Sequence, residues 1–203
     1  TALTGNSDTR ALAQLAIEHR ADVAVIGDPQ RYAELKEALA GTAVEAAAGP
    51  QALIDAARLG ADWTMAAIVG CAGLEPTLAA LERGGTVALA NKESLVSAGE
   101  LMISAARRSG ATLLPVEREH NAIFQALEDG NRSAVEKIVL TASGGPFRTA
   151  SLDDMAAATP DVARRHPVWS MGPKITIDSA SLMNQGLELI EAARLFSLQE
   201  PQI

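Results

Sequence analysis

The stretch DVAVIGDPQRYAELKEALAG, residues 22–41, sets the architecture of this chain. Asp22 to Gly27 is almost wholly apolar and too short for a helix, the pattern of a buried strand, and Asp28-Pro29 closes it. Arg31 to Ala40 returns apolar residues at helical spacing, and Gly41 supplies the stop. Outward from this unit the pattern repeats. Ala2 to Gly5 reads as the tail of a strand, and Ser7 to His19 as an Ala-rich helix with Leu12, Leu15 and Ala16 on its apolar side. Strands are expected at Thr42–Ala46, Trp63–Val69, Thr86–Ala90, Thr112–Val116 and Lys137–Thr141. Helices are expected at Gln51–Leu59, Leu74–Glu82, Ser94–Ser109 and Asn121–Leu127, with further glycine stops at Gly60, Gly84 and Gly110. Such alternation predicts an α/β fold, a parallel sheet covered by helices on both faces.

The 203 residues suffice for one or two domains. The composition, 48% apolar and 21% charged, is that of an ordinary globular protein. No apolar run approaches the ~20 residues of a membrane span, and no signal peptide is evident, so no membrane partner is expected. A net charge of −8 would repel a phosphate backbone, and 3% aromatic residues offer few stacking platforms, so nucleic acid is not expected either. Cys71 is the single cysteine. No internal disulfide can form, which fits a cytoplasmic location, and its Gly-rich apolar setting reads as a small buried residue. Thr1 opens the chain inside an apparent strand, so residues upstream of it are expected.

After Ala142 the texture turns loop-rich, with Pro160 and Pro167. A boundary is expected near Ala111–Leu114, dividing a nucleotide-domain-like unit, 1–112, from an α+β unit, 113–203. In open α/β sheets ligands bind beyond the carboxyl ends of strands, which draws attention to the residues just after each strand. Glu117 and Glu119, two apart in an extended segment, would point the same way. With Glu188 they would make a three-carboxylate oxygen site suited to Mg²⁺ or Mn²⁺; alone, the pair reads sooner as a solvated loop. His120 beside them reads as part of a helix cap. Ser143-Gly144-Gly145 offers amides and a hydroxyl to a phosphate, or is a plain turn. His166 is a lone loop histidine. Trp169, in a Gly/Pro-flanked loop, needs something to cover: a substrate, as a lid, or the core. Ile175-Thr176-Ile177 reads as a short β-branched run leading into a helix capped by Asp178 or Ser179. Ser181, Asn184 and Glu188 would share its polar face, and Leu182, Leu189, Ala193 and Phe196 its apolar stripe.

The segments MAAIVGCAGLEPTLAAL, LANKESLVSAGELM, LLPVEREHNAIFQ, LTASGGPFR and HPVWSMGPKITIDSASLMNQGLELIEA resemble the signature blocks of the 1-deoxy-D-xylulose 5-phosphate reductoisomerase family. The likeness runs from Ala2 to Phe196. It implies a Rossmann-like nucleotide domain lacking its first strand, then most of a catalytic domain lacking the C-terminal helical domain. It further implies NADPH, a divalent metal (Mg²⁺ or Mn²⁺), a small phosphorylated sugar as substrate, and a homodimer. The activity implied is rearrangement and reduction of deoxyxylulose phosphate to methylerythritol phosphate in the non-mevalonate isoprenoid pathway. By the resemblance Glu117, Glu119 and Glu188 are the metal-ligand positions. Lys92, Arg118, Ser143, His166, Ser179, Asn184, Gln185, Glu188 and Trp169 fall at substrate positions, and Lys92, His166, Glu119 and Glu188 are the catalytic candidates. Asn91, Glu93, Met171 and Gly172 fall at cofactor positions.

Several positions depart from the family pattern. V-D-S-E-H becomes Val116-Glu117-Arg118-Glu119-His120, lengthening one ligand and placing a cation where a substrate-contacting serine belongs. M-N-K-G-L-E becomes Met183-Asn184-Gln185-Gly186-Leu187-Glu188, removing a positive charge at the substrate. In the adenosine turn Gly-Lys/Arg-Asn becomes Asn6-Ser7-Asp8, and an acid there is expected to disfavour NADPH relative to NADH. The alternatives are therefore an oxidoreductase acting on another phosphorylated sugar and a non-catalytic homologue.

Overall fold

The structure, a computed structural model, describes residues 1–127 and 134–203. The chain forms two compact units, Thr1–Ser94 with Glu100–Val116, and Leu95–Gly99 with Glu117–Ile203.

In the first unit β1 (Ala2–Gly5), β2 (Val23–Ile26) and β3 (Glu45–Ala48) alternate with α1 (Thr9–Glu18), α2 (Tyr32–Ala38) and α3 (Pro50–Arg58). Then come β4 (Trp63–Ala66), α4 (Leu74–Arg83), β5 (Thr86–Leu89), α5 (Lys92–Ser109) and β6 (Thr112–Pro115). All pairing is parallel. The expected single sheet is two three-stranded ladders, β1-β2-β3 and β4-β5-β6. Ala2 stands opposite Val23 and Val23 opposite Glu45; Trp63 stands opposite Thr86 and Thr86 opposite Thr112. Among the described residues no strand pairs with the other edge of β1 or of β4.

Leu12, Ala13 and Ala16 of α1, Ala24 and Ile26 of β2, and Leu35 and Leu39 of α2 form one buried cluster. Each large aliphatic side chain so buried contributes roughly 1.5–3 kcal/mol. Leu15, expected on this face, is 47% exposed, because Ala13 and Ala16 bring the helix to the sheet on the adjacent side. β3 starts three residues later than expected. Thr42 is used in the turn, where its hydroxyl donates to the Leu39 carbonyl (2.7 Å) and accepts from Val44 N. Arg83, at the end of α4, donates to the Ala57 and Leu59 carbonyls and to Thr64, each at 2.9 Å, tying the end of α3 to β4. Cys71, expected buried, is exposed: Gly70 (φ +72°) turns the chain outward after β4.

The second unit was expected to be α+β. Its described residues hold helices and no strand. The segment Lys137–Thr141 is not a strand; Ile138 N donates to the Gln202 carbonyl (2.7 Å) instead of entering a ladder. The helices are α6 (Arg118–Ala126), α7 (Leu152–Ala156), α8 (Pro160–Ala163), α9 (Pro173–Ala180) and α10 (Met183–Phe196). Ile175-Thr176-Ile177 lies inside α9, which begins at Pro173, a residue suited to the first helical position. Asp178 and Ser179 are therefore interior residues and not caps, and Asp178 pairs with Lys174 at 2.6 Å. Leu182, at φ +60°, breaks the chain between α9 and α10 and leaves Ser181 outside the polar face of Asn184 and Glu188. The buried face of α10 is Glu188, Glu191, Ala192 and Phe196, while Leu182 and Leu189 are exposed. No helix among the described residues is long and apolar enough to cross a membrane.

Candidate active site

The second unit carries the densest chemistry. Glu117 does not lie in an extended segment with Glu119; it is the residue before α6, and Arg118 and Glu119 form the first helical turn. Residues two apart on a helix do not share a face, so the expected pairing of the two carboxylates fails. Glu117 groups instead with His120 and Glu191, whose candidate ligand atoms all lie within 4.8 Å of one another. Glu119 and Glu188 stand outside this group.

His120 is fully buried and is no cap. Its Nε2–H donates to the Glu188 carbonyl (3.0 Å). Nδ1 faces the carboxylates of Glu191 (3.3 Å) and Glu117 (3.7 Å). Burial, the largest single influence, disfavours the imidazolium. The Glu117 and Glu191 carboxylates and the Glu188 carbonyl together outweigh it and hold the pKa above its ordinary value. Glu188 is 2% exposed, and its carboxylate accepts from Asn184 Nδ2 (2.5 Å) and Gln185 Nε2 (3.1 Å). Glu191 was missed in the sequence. The available signal was its position three after Glu188 on a helix whose buried face needs only small and aromatic residues otherwise. Two carboxylates buried on one helix face require a cation or a proton beside them. An oxygen-rich donor set with one imidazole fits Mg²⁺ or Mn²⁺.

A second group surrounds His166. Its Nδ1 accepts from the backbone N–H of Val168 (3.2 Å) and Trp169 (2.9 Å). In the neutral ring Nε2 therefore carries the proton and donates to Ser143 Oγ (2.9 Å). This leaves the Ser143 hydroxyl proton for a ligand. Gly144 and Gly145 both have positive φ. A Cβ on Gly145 would lie 2.8 Å from the Ser179 carbonyl, so only glycine lets this turn reach α9. Ser143 and the buried Ser179 are thus on neighbouring segments. The Arg118 guanidinium lies over the Trp169 indole, 4.3 Å from its centroid. Met171 and Gly172 lead into α9, with Gly172 at its cap.

In the first unit, Asn6, Ser7 and Asp8 form an exposed turn at the carboxyl end of β1. Asp8 is the N-cap of α1, its Oδ1 accepting from Ala11 N at 2.9 Å. Asn91, 1% exposed, caps α5. Its amide donates to the Ile68 (2.6 Å) and Gly70 (2.9 Å) carbonyls. Its Oδ1 accepts from Ser94 N (2.8 Å) and from the Ser94 hydroxyl. The donors of the side chain brace the turn after β4 and its acceptor caps α5. Lys92, buried at the first position of α5, runs against the helix dipole, a placement that favours an anionic neighbour. Glu93 comes next in the first turn, half-buried.

Two family models match the chain. That of the 1-deoxy-D-xylulose 5-phosphate reductoisomerase covers residues 1–99, and that of the same enzyme's C-terminal domain covers 113–196. The chain is 64% identical over 197 residues to the reductoisomerase of Zymomonas mobilis, covering 97% of this chain and 51% of that protein. It is 59% identical to that of Gluconobacter oxydans, covering 100% and 50%. The chain thus spans about half the length of the curated relatives it matches. Among solved structures, the Zymomonas mobilis enzyme in complex with NADPH superposes with a TM-score of 0.93 at 60% identity, covering 99% of this chain and 52% of that one. A reductoisomerase in complex with NADPH, fosmidomycin and magnesium superposes with a TM-score of 0.92 at 46% identity, covering 100% and 52%. The chain belongs to the 1-deoxy-D-xylulose 5-phosphate reductoisomerase family.

Proposed function

We propose that this chain is the nucleotide-binding and catalytic part of an NADPH- and divalent-metal-dependent reductoisomerase. It isomerises and reduces 1-deoxy-D-xylulose 5-phosphate to 2-C-methyl-D-erythritol 4-phosphate. The observation that carries the reading is the buried acidic group on α10 and the start of α6, in a chain this similar to reductoisomerases. Glu117, Glu119, Glu188 and Glu191 are the oxygen donors available to the metal. When bound, the metal polarises the substrate carbonyl as a Lewis acid and the nicotinamide supplies hydride. The chain's own residues orient and hold. Ser143 donates its hydroxyl to the substrate phosphate while accepting from His166, and Ser179 and Asn184 complete that cradle. Lys92 offers a cation to the anionic substrate, and Trp169 covers it. Asn6, Ser7, Asp8, Asn91, Glu93, Met171 and Gly172 line the cofactor positions, Asn91 by bracing the turn through its side chain. The enzyme works as a homodimer in the cytoplasm.

The test is nicotinamide oxidation at 340 nm by the full-length gene product with deoxyxylulose phosphate and Mn²⁺. NADPH and NADH are run in parallel, with Glu188→Ala as control. Turnover that disappears in the control is the expected result; a folded protein inactive with both cofactors sinks the reading.

A second reading, a site altered toward weak activity or another phosphorylated sugar, has one observation in its favour. Gln185 donates to the Glu188 carboxylate where the family pattern carries lysine. A ligand displaced by roughly an ångström can cost about 10²-fold. Combining Glu117→Asp, Arg118→Ser and Gln185→Lys is then expected to raise turnover by about that factor. An unchanged rate counts against these positions as the limitation.

A further inference from the structure

We propose that Arg118 is a positioning residue that docks the Trp169 loop on the amino end of α6 before any ligand arrives. The inference deepens the reading above, which says what the loop would cover, but its geometry stands apart from that reading.

Residues 166–172 connect α8 to α9 without regular structure. His166 secures the backbone at the start of this loop through Val168 N and Trp169 N, and is itself held by Ser143. Those bonds fix the main chain and leave the indole to find its own partner. The core does not supply one: Trp169 is 45% exposed and Val168 68% exposed. What meets the ring is the Arg118 guanidinium, its central carbon 4.3 Å from the ring centroid. That is well inside the ~6 Å range of a cation–π contact. A planar, weakly hydrated guanidinium is the cation best suited to lie on an indole face. A serine at this position, as in the family pattern, has one heavy atom beyond Cβ and cannot reach.

Two features make the contact consequential. Arg118 lies in the first turn of α6, where a cation gains nothing from the helix dipole. The dipole of its own helix therefore gives its side chain no hold. It also sits between Glu117 and Glu119, so docking the ring on it places Trp169 at the end of the helix that bears the candidate metal ligands. The loop is thus pinned twice, by His166 through its backbone and by Arg118 through its only aromatic side chain.

The test is ¹⁹F NMR of the full-length protein labelled with 5-fluorotryptophan, without metal or substrate. The Trp169 resonance is assigned by its loss in Trp169→Phe. Arg118→Ser removes the side chain, and Arg118→Met keeps an apolar stem without the charge. Both are substitutions on a helix surface, so the fold is expected to survive; the Trp63 resonance monitors it. The expected result is a Trp169 resonance displaced toward that of the free amino acid in both variants. The docked-to-free ratio should fall roughly two- to fivefold, the range of an exposed cation–π contact. An unmoved resonance in Arg118→Ser overturns the proposal. So does a resonance that moves in Arg118→Ser but not in Arg118→Met, because apolar packing would then be what holds the ring. Neither substrate nor cofactor is present, so a negative turnover assay leaves this result unaffected.

Discussion

Asp8 carries two burdens at once. As the N-cap of α1 it satisfies Ala11 N, and under the proposed function it is an anion in the turn that would meet a nucleotide 2′-phosphate. The two separate on substitution, because asparagine caps as well as aspartate. Asp8→Asn is expected to leave thermal stability within about 0.5 kcal/mol. It should shift the ratio of NADPH to NADH affinity toward NADPH by roughly fivefold, as about 1 kcal/mol of repulsion is removed. Asp8→Ala relieves the same charge but costs about 1 kcal/mol of helix stability. Cofactor titrations and melting curves on the three proteins read both effects. His120 offers a second residue-scale expectation. Its pKa is raised in the folded state by the neighbouring carboxylates, against the effect of burial. A raised basic group contributes stability that is complete below its unfolded value of about 6.5 and is lost as pH rises through the folded value. In the presence of a chelator, the Tm of the wild type should therefore fall relative to His120→Gln as the pH is taken up from about 6. Parallel curves would show that the imidazolium is not stabilised in this way.

Among the elements, the junction between β4 and α5 is the most tightly specified. Asn91 turns the Ile68 and Gly70 carbonyls inward and caps the helix that presents Lys92. Gly73 lies under this brace. A Cβ there would stand 2.5 Å from the Ile68 carbonyl oxygen and 3.0 Å from the Asn91 amide nitrogen. The backbone cannot yield without undoing the brace. Gly73→Ala is thus expected to cost about 1–3 kcal/mol, read as a lower midpoint in urea with an unchanged slope. An alanine tolerated without loss would mean that the turn can relax. α9 and α10 show the opposite kind of specification. Their sequence reads as one helix with a strand before it, yet Pro173 starts the first helix early and Leu182, in the left-handed region, ends it before the second. Nothing in the polarity of these residues marks that break. It sets which residues of α10 face inward, and so brings Glu191 into the site.

At the level of the whole molecule, ligands that bind the folded state alone must raise its stability by mass action. A ligand at a hundred times its Kd contributes about 2.7 kcal/mol. Mg²⁺ and NADPH are each expected to raise Tm, and the chelator should reverse the first only. Glu188→Ala should abolish the Mg²⁺ increment and keep most of the NADPH increment, since Glu188 belongs to the second unit while Asn6, Ser7, Asp8, Asn91 and Glu93 of the proposed cofactor positions belong to the first. A variant that loses both increments would mean that Glu188 serves the fold and not the metal.

The alternation of short strands with helices was legible in the sequence, because periodicity and glycine or proline punctuation act within a few residues of one another. The same holds for the linear blocks that carry the family resemblance, among them Ser143, His166 and Glu188. Three matters were decided only by the tertiary structure. Lys137–Thr141 has strand composition but meets Gln202 in place of a ladder, since a strand exists only through its neighbour. Glu117 and His120 meet Glu191 from far along the sequence, a separation at which no spacing rule operates. Arg118 finds Trp169 in the same way. Local sequence chooses the elements; which side chains face each other depends on how those elements pack, and burial and electrostatics settle that over the whole chain.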